Sequence, residues 1–374
     1  MDWRESEGGS FHLFFWAARR AVLISTLFLI ALASCSPVYV IRAAYEQGKI
    51  LVRRQPIERV IEAEDTDPTQ REKLRLVLEA RAFATELGLD PGDSFTKFSK
   101  VDRDVLAWVL LGSKPDSFSL YTWWFPIVGS VPYKGFFEKD DAEKAAAALQ
   151  AKGYETWLRG TQAFSTLGWF NDPLLSTTLN SDHVSIADTV IHESVHSTIW
   201  IKNRVDFNES LANFVGSAGA VQFFQAKLNN CLLDDMVCAG RYRELLAKSI
   251  LARKRDRAMG AAIGGLHHEL KELYRSNLET SSKLELRTAI FEKHVAPLKQ
   301  QYPDLKILKS INNAEIMQLK LYLTGQEQFD KLLLKCSGDI PCFMKALRGI
   351  EEQLSSSDDP FKLLERWSEN PPKQ

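Results

Sequence analysis

The chain has 374 residues, 45% hydrophobic and 25% charged, with a formal net charge of −1 at pH 7. That is globular composition, long enough for one large core or two modest domains. The near-zero charge supplies no basic field, so nucleic acid is not expected as a partner.

At the N-terminus, residues 21–34 form an uncharged, mostly apolar run behind Arg19 and Arg20. The run is short of the roughly 20 residues that span a bilayer and has the length of a secretory h-region, about 7–15 residues. It ends in Leu32-Ala33-Ser34-Cys35, which resembles a bacterial lipoprotein cleavage box. The resemblance implies a signal peptide over 1–34 and a mature chain starting at an acylated Cys35. Several acyl chains hold a protein stably on a membrane where one does not. Ser36 in place of Asp implies the outer membrane, facing the periplasm. The long segment before Arg19, with Asp2 and Glu5, leaves an uncleaved N-terminal anchor as the alternative.

Residues 37–61 read as a helix with its apolar residues on one side. Another is expected over 70–87, capped by Asp65-Thr66-Asp67-Pro68 and ended by Gly88. Residues 118–137, rich in aromatic and β-branched types and broken by Gly129 and Pro132, read as hairpin strands. A helix is expected over 140–152, closed by Gly153, then short strands at 154–159 and 163–170 and a turn at Asp172-Pro173. From His183 onward the pattern is helical: 184–202, 208–228, 240–274, 281–300, then several short helices between 312 and 367. No repeat or long linker divides the chain. The expectation is a mostly helical α+β unit over 35–374, its small antiparallel sheet (about 90–182) preceding a helical part (about 183–374).

Four cysteines remain beside Cys35. Cys231 and Cys238, and Cys336 and Cys342, form two close pairs, expected as local disulfides outside the cytoplasm. The alternative, a structural zinc site of four thiolates, has the wrong spacing for the usual knuckles.

The chemistry concentrates in Thr189-Val190-Ile191-His192-Glu193-Ser194-Val195-His196. Helical residues four apart differ by about 40° and about 6 Å of rise, so His192 and His196 point the same way from successive turns. Two imidazoles so placed can meet one Zn²⁺, while Glu193, about 100° round from His192, can reach a water beside it as a general base. A catalytic zinc needs a third protein ligand and an open position. Glu209, in Asp206-Phe207-Asn208-Glu209-Ser210-Leu211-Ala212-Asn213, opens the next helix and supplies a carboxylate. The competing reading is a packed helix interface with solvated glutamates, but Val190, Ile191, Val195, Ile199 and Trp200 already provide the apolar surface.

HESVH followed by FNESLANFVG resembles the gluzincin arrangement of zinc peptidases. More closely, the chain is similar to a predicted zinc aminopeptidase family of bacterial lipoproteins, through LASCSPVYVIRAAYEQGKIL, FPIVGSVPYKGFF, FSTLGWFNDPLLST, the motif pair and, more weakly, SINNAEIMQLKLY. The resemblance implies a zincin-like catalytic unit in which His192, His196 and Glu209 bind zinc and Glu193 is the general base. The developing oxyanion needs one further donor, for which Tyr133, Tyr242, His267 and His268 are candidates. A peptide laid along an edge strand could use 164–169 or 127–133, with Gly168 or Gly129 permitting close approach. Asp188 reads as an orienter of a ligand histidine or as a plain first-turn carboxylate. Glu155, Asp172, Asp182 and Glu315 are equal candidates to hold a substrate ammonium, and Asn312-Asn313 is a helix cap or a cleft contact. The expected function is a zinc aminopeptidase acting on peptides or unfolded proteins and held on a membrane through its lipid. The alternatives are an envelope zinc endopeptidase and a zinc-containing adaptor or chaperone, against which Glu193 argues.

Overall fold

The computed structural model describes residues 37–125, 129–162, 173–232, 234–305, 311–355 and 357–369. The expected signal segment, Cys35, the strand at 163–170 with Gly168, and Asp172 lie outside these residues.

Helix α1 (Pro37–Val52) gives way to strand β1 (Gln55–Pro56) and helix α2 (Ile57–Glu62). The single helix expected over 37–61 is therefore two. Pro56 has no N–H to donate and biases Gln55 towards extended backbone. Helix α3 (Pro68–Glu86) begins as the sequence predicts: Asp67 accepts a hydrogen bond from the Gln70 N–H, and Gly88 follows the helix with φ +76°.

The strands are β2 (Lys97–Ser99), β3 (Ala107–Ser113), β4 (Trp123–Phe125), β5 (Gly129–Val131), β6 (Tyr133–Phe136), β7 (Glu155–Thr161) and β8 (Leu174–Leu175), with helix α4 (Lys139–Gln150) before β7. One sheet is antiparallel in the order β6-β3-β7. A second, β1-β2-β8, includes a parallel β2–β8 pair that the sequence reading did not contain. The hairpin expected over 118–137 is divided: β4 pairs with β5, whereas β6 pairs with β3. Strand β3 (AWVLLGS) was missed. It is the central strand, and its continuous apolar run lacks the alternation that marks a half-exposed one.

By compactness the chain forms two units. One holds α1 and the β4–β5 hairpin; the other runs over 53–121 and from 132 onward. The second unit carries a turn of 3₁₀ helix (Thr178–Asn180) and then α5 (His183–Thr198), α6 (Val205–Asn229), α7 (Met236–Arg275), α8 (Thr280–Gln301), α9 (Asn313–Leu323), α10 (Gln326–Lys335), α11 (Ile340–Gln353) and α12 (Pro360–Glu369). Mostly helix with small sheets, this is an α+β architecture. Cys231–Cys238 and Cys336–Cys342 are disulfides, so the four-thiolate zinc alternative is excluded. Among the described residues no helix is long and apolar enough to cross a membrane.

Helix α6 is buried on most of its surface and acts as the spine of this unit. Phe207, Leu211, Phe214, Val215 and Ala218 pack with Ile191, Val195 and Ile199 of α5's end and with the C-terminal helices. Ala220, Phe223 and Phe224 pack with Ile186, Ala187 and Val190 and with Leu74, Val77 and Ala80 of α3. Small residues make the α5–α6 contact close. A methyl group on Gly219 would meet Ile191 at 2.9 Å, and one on Gly216 would collide with the Asp188 carboxylate and come within 3.1 Å of His192 Cβ. Gly216→Ala must therefore push α5 away at the level of His192. We expect it to cost about 1–3 kcal/mol of unfolding free energy, read from denaturant midpoints, whereas alanine at exposed Gly240, where nothing lies within 4 Å, should be neutral or stabilising.

Candidate metal centre

Helix α5 starts with Asp182, whose carboxylate accepts from the Ser185 N–H, and ends where Ile199 turns extended. The connection to α6 passes Asn203 in the left-handed region (φ +61°) and is clamped by Asn208. Asn208 is buried: its Oδ1 accepts from the Ile201 N–H at 3.0 Å and its Nδ2 donates to the Ile201 carbonyl at 2.8 Å. Glu209 is the next residue and faces α5. Ser210, also buried, donates to the Leu321 carbonyl at 3.0 Å and accepts from the Thr324 N–H at 3.2 Å, which ties α6 to the end of α9. Three successive residues thus fix a loop, present a carboxylate and dock a third helix.

The outcome is a three-residue group of donors. His192 Nε2 and His196 Nε2 are 3.2 Å apart; Glu209 lies 3.5 Å from the first and 3.6 Å from the second. Three donors at about 2.1 Å from one tetrahedral ion would be separated by about 3.4 Å. The observed triangle has that size, and the two-imidazole, one-carboxylate set is that of hydrolytic zinc sites. These residues fit a divalent metal.

Electrostatics agree with a site built for a cation. Burial works against a charged Glu209, yet hydrogen bonds with His192 and His196 hold its pKa down at about 2. Burial also opposes a charged His192, but the Glu209 hydrogen bond and the charges of Glu193, Glu209 and Asp188 raise its pKa. One turn before His192, Asp188 is pushed up to about 7 by burial and by Asp256, with His192 and Arg253 pulling the other way. Asp256, on α7, is pushed up to about 6 by burial against the pull of Arg253.

The group opens into a cavity of about 840 Å³ walled by β7 from Thr156 to Thr161 and by Gln162 after it, by α5 through Asp188, Thr189 and Glu193, by Asn213 of α6, and by α9 from Glu315 to Leu323. Glu193 lies in it beside the ligands. Two contacts bridge β7 and α9. Arg159 faces the Tyr322 hydroxyl, and the Trp157 side chain faces the Glu315 carboxylate. The Tyr322 ring centroid is 6.4 Å from that of His192. Burial first, and then Glu209, push its hydroxyl up to about 12 against the opposing pull of Arg159, so it remains a proton-bearing donor.

Tyr322, rather than any of the oxyanion donors expected from sequence, is the tyrosine that lines the cavity beside His192. Tyr133 is half-exposed on β6, opposite Leu111. Tyr242 packs with the cluster of Leu74 and Phe223, about 21 Å along α7 from Asp256. His267 stacks on Phe118 and His268 faces solvent. None of the four lines the cavity. Strand β7 lines the cavity with the motif helix, and Gly129 has a turn conformation (φ +74°). Tyr322 was signalled only by the weak resemblance at SINNAEIMQLKLY. Asn312 proves to be both cap and cleft residue: it accepts from the Glu315 N–H, donates to the Thr156 carbonyl at 3.0 Å and lines the cavity.

Comparison with known proteins gives one family. The family model described as "Putative aminopeptidase" matches residues 38–359, most of the chain. No curated protein and no solved structure matches.

Glu209→Gln keeps the shape of the site and removes its anionic ligand. We expect zinc affinity, read by competition with a chromophoric chelator, to fall beyond the 10–100-fold typical of losing an outer-shell partner, roughly 100-fold or more, with helix content unchanged. Because ligand histidines must be deprotonated and His192 holds its proton above the ordinary value of 6.5, wild-type affinity should rise with pH through and beyond that value.

Proposed function

The chain belongs to this aminopeptidase family, and from that premise we propose that it is a zinc-dependent, gluzincin-like aminopeptidase of the bacterial envelope, hydrolysing peptides from their N-terminal end. The observation that carries the reading is the His192–His196–Glu209 triangle, sized for a tetrahedral ion, with Glu193 beside it in a cavity flanked by a strand. The envelope address rests on the lipoprotein-like box at Cys35, through which the mature protein is held on the membrane facing the periplasm.

When bound, zinc supplies a water of lowered pKa and polarisation of the scissile carbonyl. His192, His196 and Glu209 would hold the ion, with their donor atoms turned to the cavity. Strand β7 offers backbone groups to an extended peptide. Glu193 takes the proton of the attacking water on its carboxylate and delivers it to the leaving amine as the C–N bond breaks. Tyr322, with its hydroxyl facing Arg159, donates a hydrogen bond to the developing oxyanion.

In a peptide mixture analysed by mass spectrometry, zinc-loaded protein should produce cleavages that Glu193→Gln reduces by about 10²–10⁴-fold while retaining its metal. Tyr322→Phe should lower kcat by about 10²–10³-fold, the usual cost of an oxyanion donor, with KM little changed. Absence of any Glu193-dependent product would sink the peptidase reading and bring the adaptor forward. Membrane fractionation with and without Cys35→Ala tests the anchor; equal release of both forms would refute it.

A further inference from the structure

Among the described residues, five carboxylates line the cavity: Asp188, Glu193, Glu209, Asp256 and Glu315. Glu209 and Glu193 have roles at the metal centre. Asp188 and Asp256 both lie in the field of Arg253. Glu315 differs. It is 3% exposed and lies in the first turn of α9. Its position three residues after Asn312 suits a capping box, in which such a glutamate would accept from the cap residue's N–H. Asn312 does its half, accepting from the Glu315 N–H, but the Glu315 side chain instead lies in the cavity facing the Trp157 side chain. Among the described residues no cation forms an ion pair with it; Lys299 acts only at longer range. Burial raises its pKa to about 7. A buried carboxylate without a counter-ion is costly, and the cost falls when a ligand brings a cation.

Of the other ammonium candidates, Asp172 lies outside the described residues, and the remaining two are engaged elsewhere. Glu155 pairs with Arg287 at 2.9 Å and accepts from the Asn313 N–H, and Asp182 caps α5. Neither lines the cavity. Position then adds a measure of length. Seven residues of α9 separate Glu315 from Tyr322, a rise of about 10 Å. On β7 the matching partners Trp157 and Arg159 are two residues apart, about 7 Å. The Glu315–Trp157 bridge therefore stands about 7–10 Å from the bridge at the reacting centre, the span of two to three residues of extended peptide.

We propose that Glu315, with the Trp157 ring beside it, is the anchor for the substrate's N-terminal ammonium, and that its distance from Tyr322 sets release of a dipeptide or tripeptide at each cut. This rests on the peptidase reading for the cut but not for the anchor. Carboxylate and indole are both favourable partners for an ammonium in a desolvated site.

The anchor is tested first without turnover. Zinc-loaded Glu193→Gln protein is titrated calorimetrically with trialanine and with N-acetyl-trialanine. The free amine should bind about 30-fold or more tighter, the usual scale for losing one partner of a buried charge pair. Adding Glu315→Gln should erase the preference, and Glu315→Asp should restore part of it. Equal binding of the two peptides, or a preference that survives Glu315→Gln, overturns the anchor. Thermal melts establish that the variants fold; Glu315→Gln should melt no lower than the parent, since a neutral amide is cheaper to bury. Turnover of unblocked hexapeptides by the wild type, read by mass spectrometry, then tests the length. N-terminal dipeptides or tripeptides support it, and single residues or scattered internal cuts overturn it. If no product depends on Glu193, the peptidase reading fails with the length rule, and the titration still decides the anchor.

Discussion

The site depends on how closely α5 approaches α6. Two histidines on one helix meet a carboxylate on the next only if the two axes are near enough for short side chains to bridge them. Gly216 permits that approach by leaving no Cβ where Asp188 and His192 lie. Asn208 fixes its register by holding both backbone groups of Ile201. The ligand triangle follows from these two features, and so does the electrostatic state of the pocket. Drawn together, Glu209 stays ionised and His192 resists losing its proton, a balance that a divalent cation would replace.

Helix α9 is held against this pair at both ends. At its start, Asn312 donates to the Thr156 carbonyl and Asn313, fully buried, donates to the Lys114 carbonyl at 2.8 Å. At its end, Ser210 binds the Leu321 carbonyl and the Thr324 N–H. With both termini fixed, α9 lies along β7 and the two form opposite walls of one cavity. Tyr322 and Glu315 face the cavity because they are seven residues apart, two turns of one helix face. The Tyr322 hydroxyl and a buried carboxylate are thereby kept at a set distance by a single rigid element.

Much of the helical half was legible in the chain. The boundaries expected for α3, α5, α6, α7 and α8 agree with those observed to within a few residues, because caps such as Asp67 and Asp182 and breakers such as Gly88 act locally. The β region was less legible. Strand β3 carries no alternation because it is central, and Pro56 divides a helix whose apolar pattern runs on past it. The paired cysteines were readable because six or seven residues of separation leave little freedom for any other partner.

The sequence by itself determined the two histidines and the glutamate beside them, since a helix of known pitch brings residues four apart to one side wherever the helix is placed. It also marked Glu209 as a candidate third ligand. Only the tertiary structure decided that Glu209 completes the triangle, that Tyr322 rather than Tyr133 or Tyr242 lines the cavity beside His192, and that Glu315 rather than Glu155 or Asp182 lies in the cavity with no ion pair among the described residues. The difference is physical. Helical pitch acts over a few residues, whereas contacts spanning more than a hundred residues of chain, such as Ser210 with Leu321, are set by packing and by hydrogen bonds that no local pattern encodes.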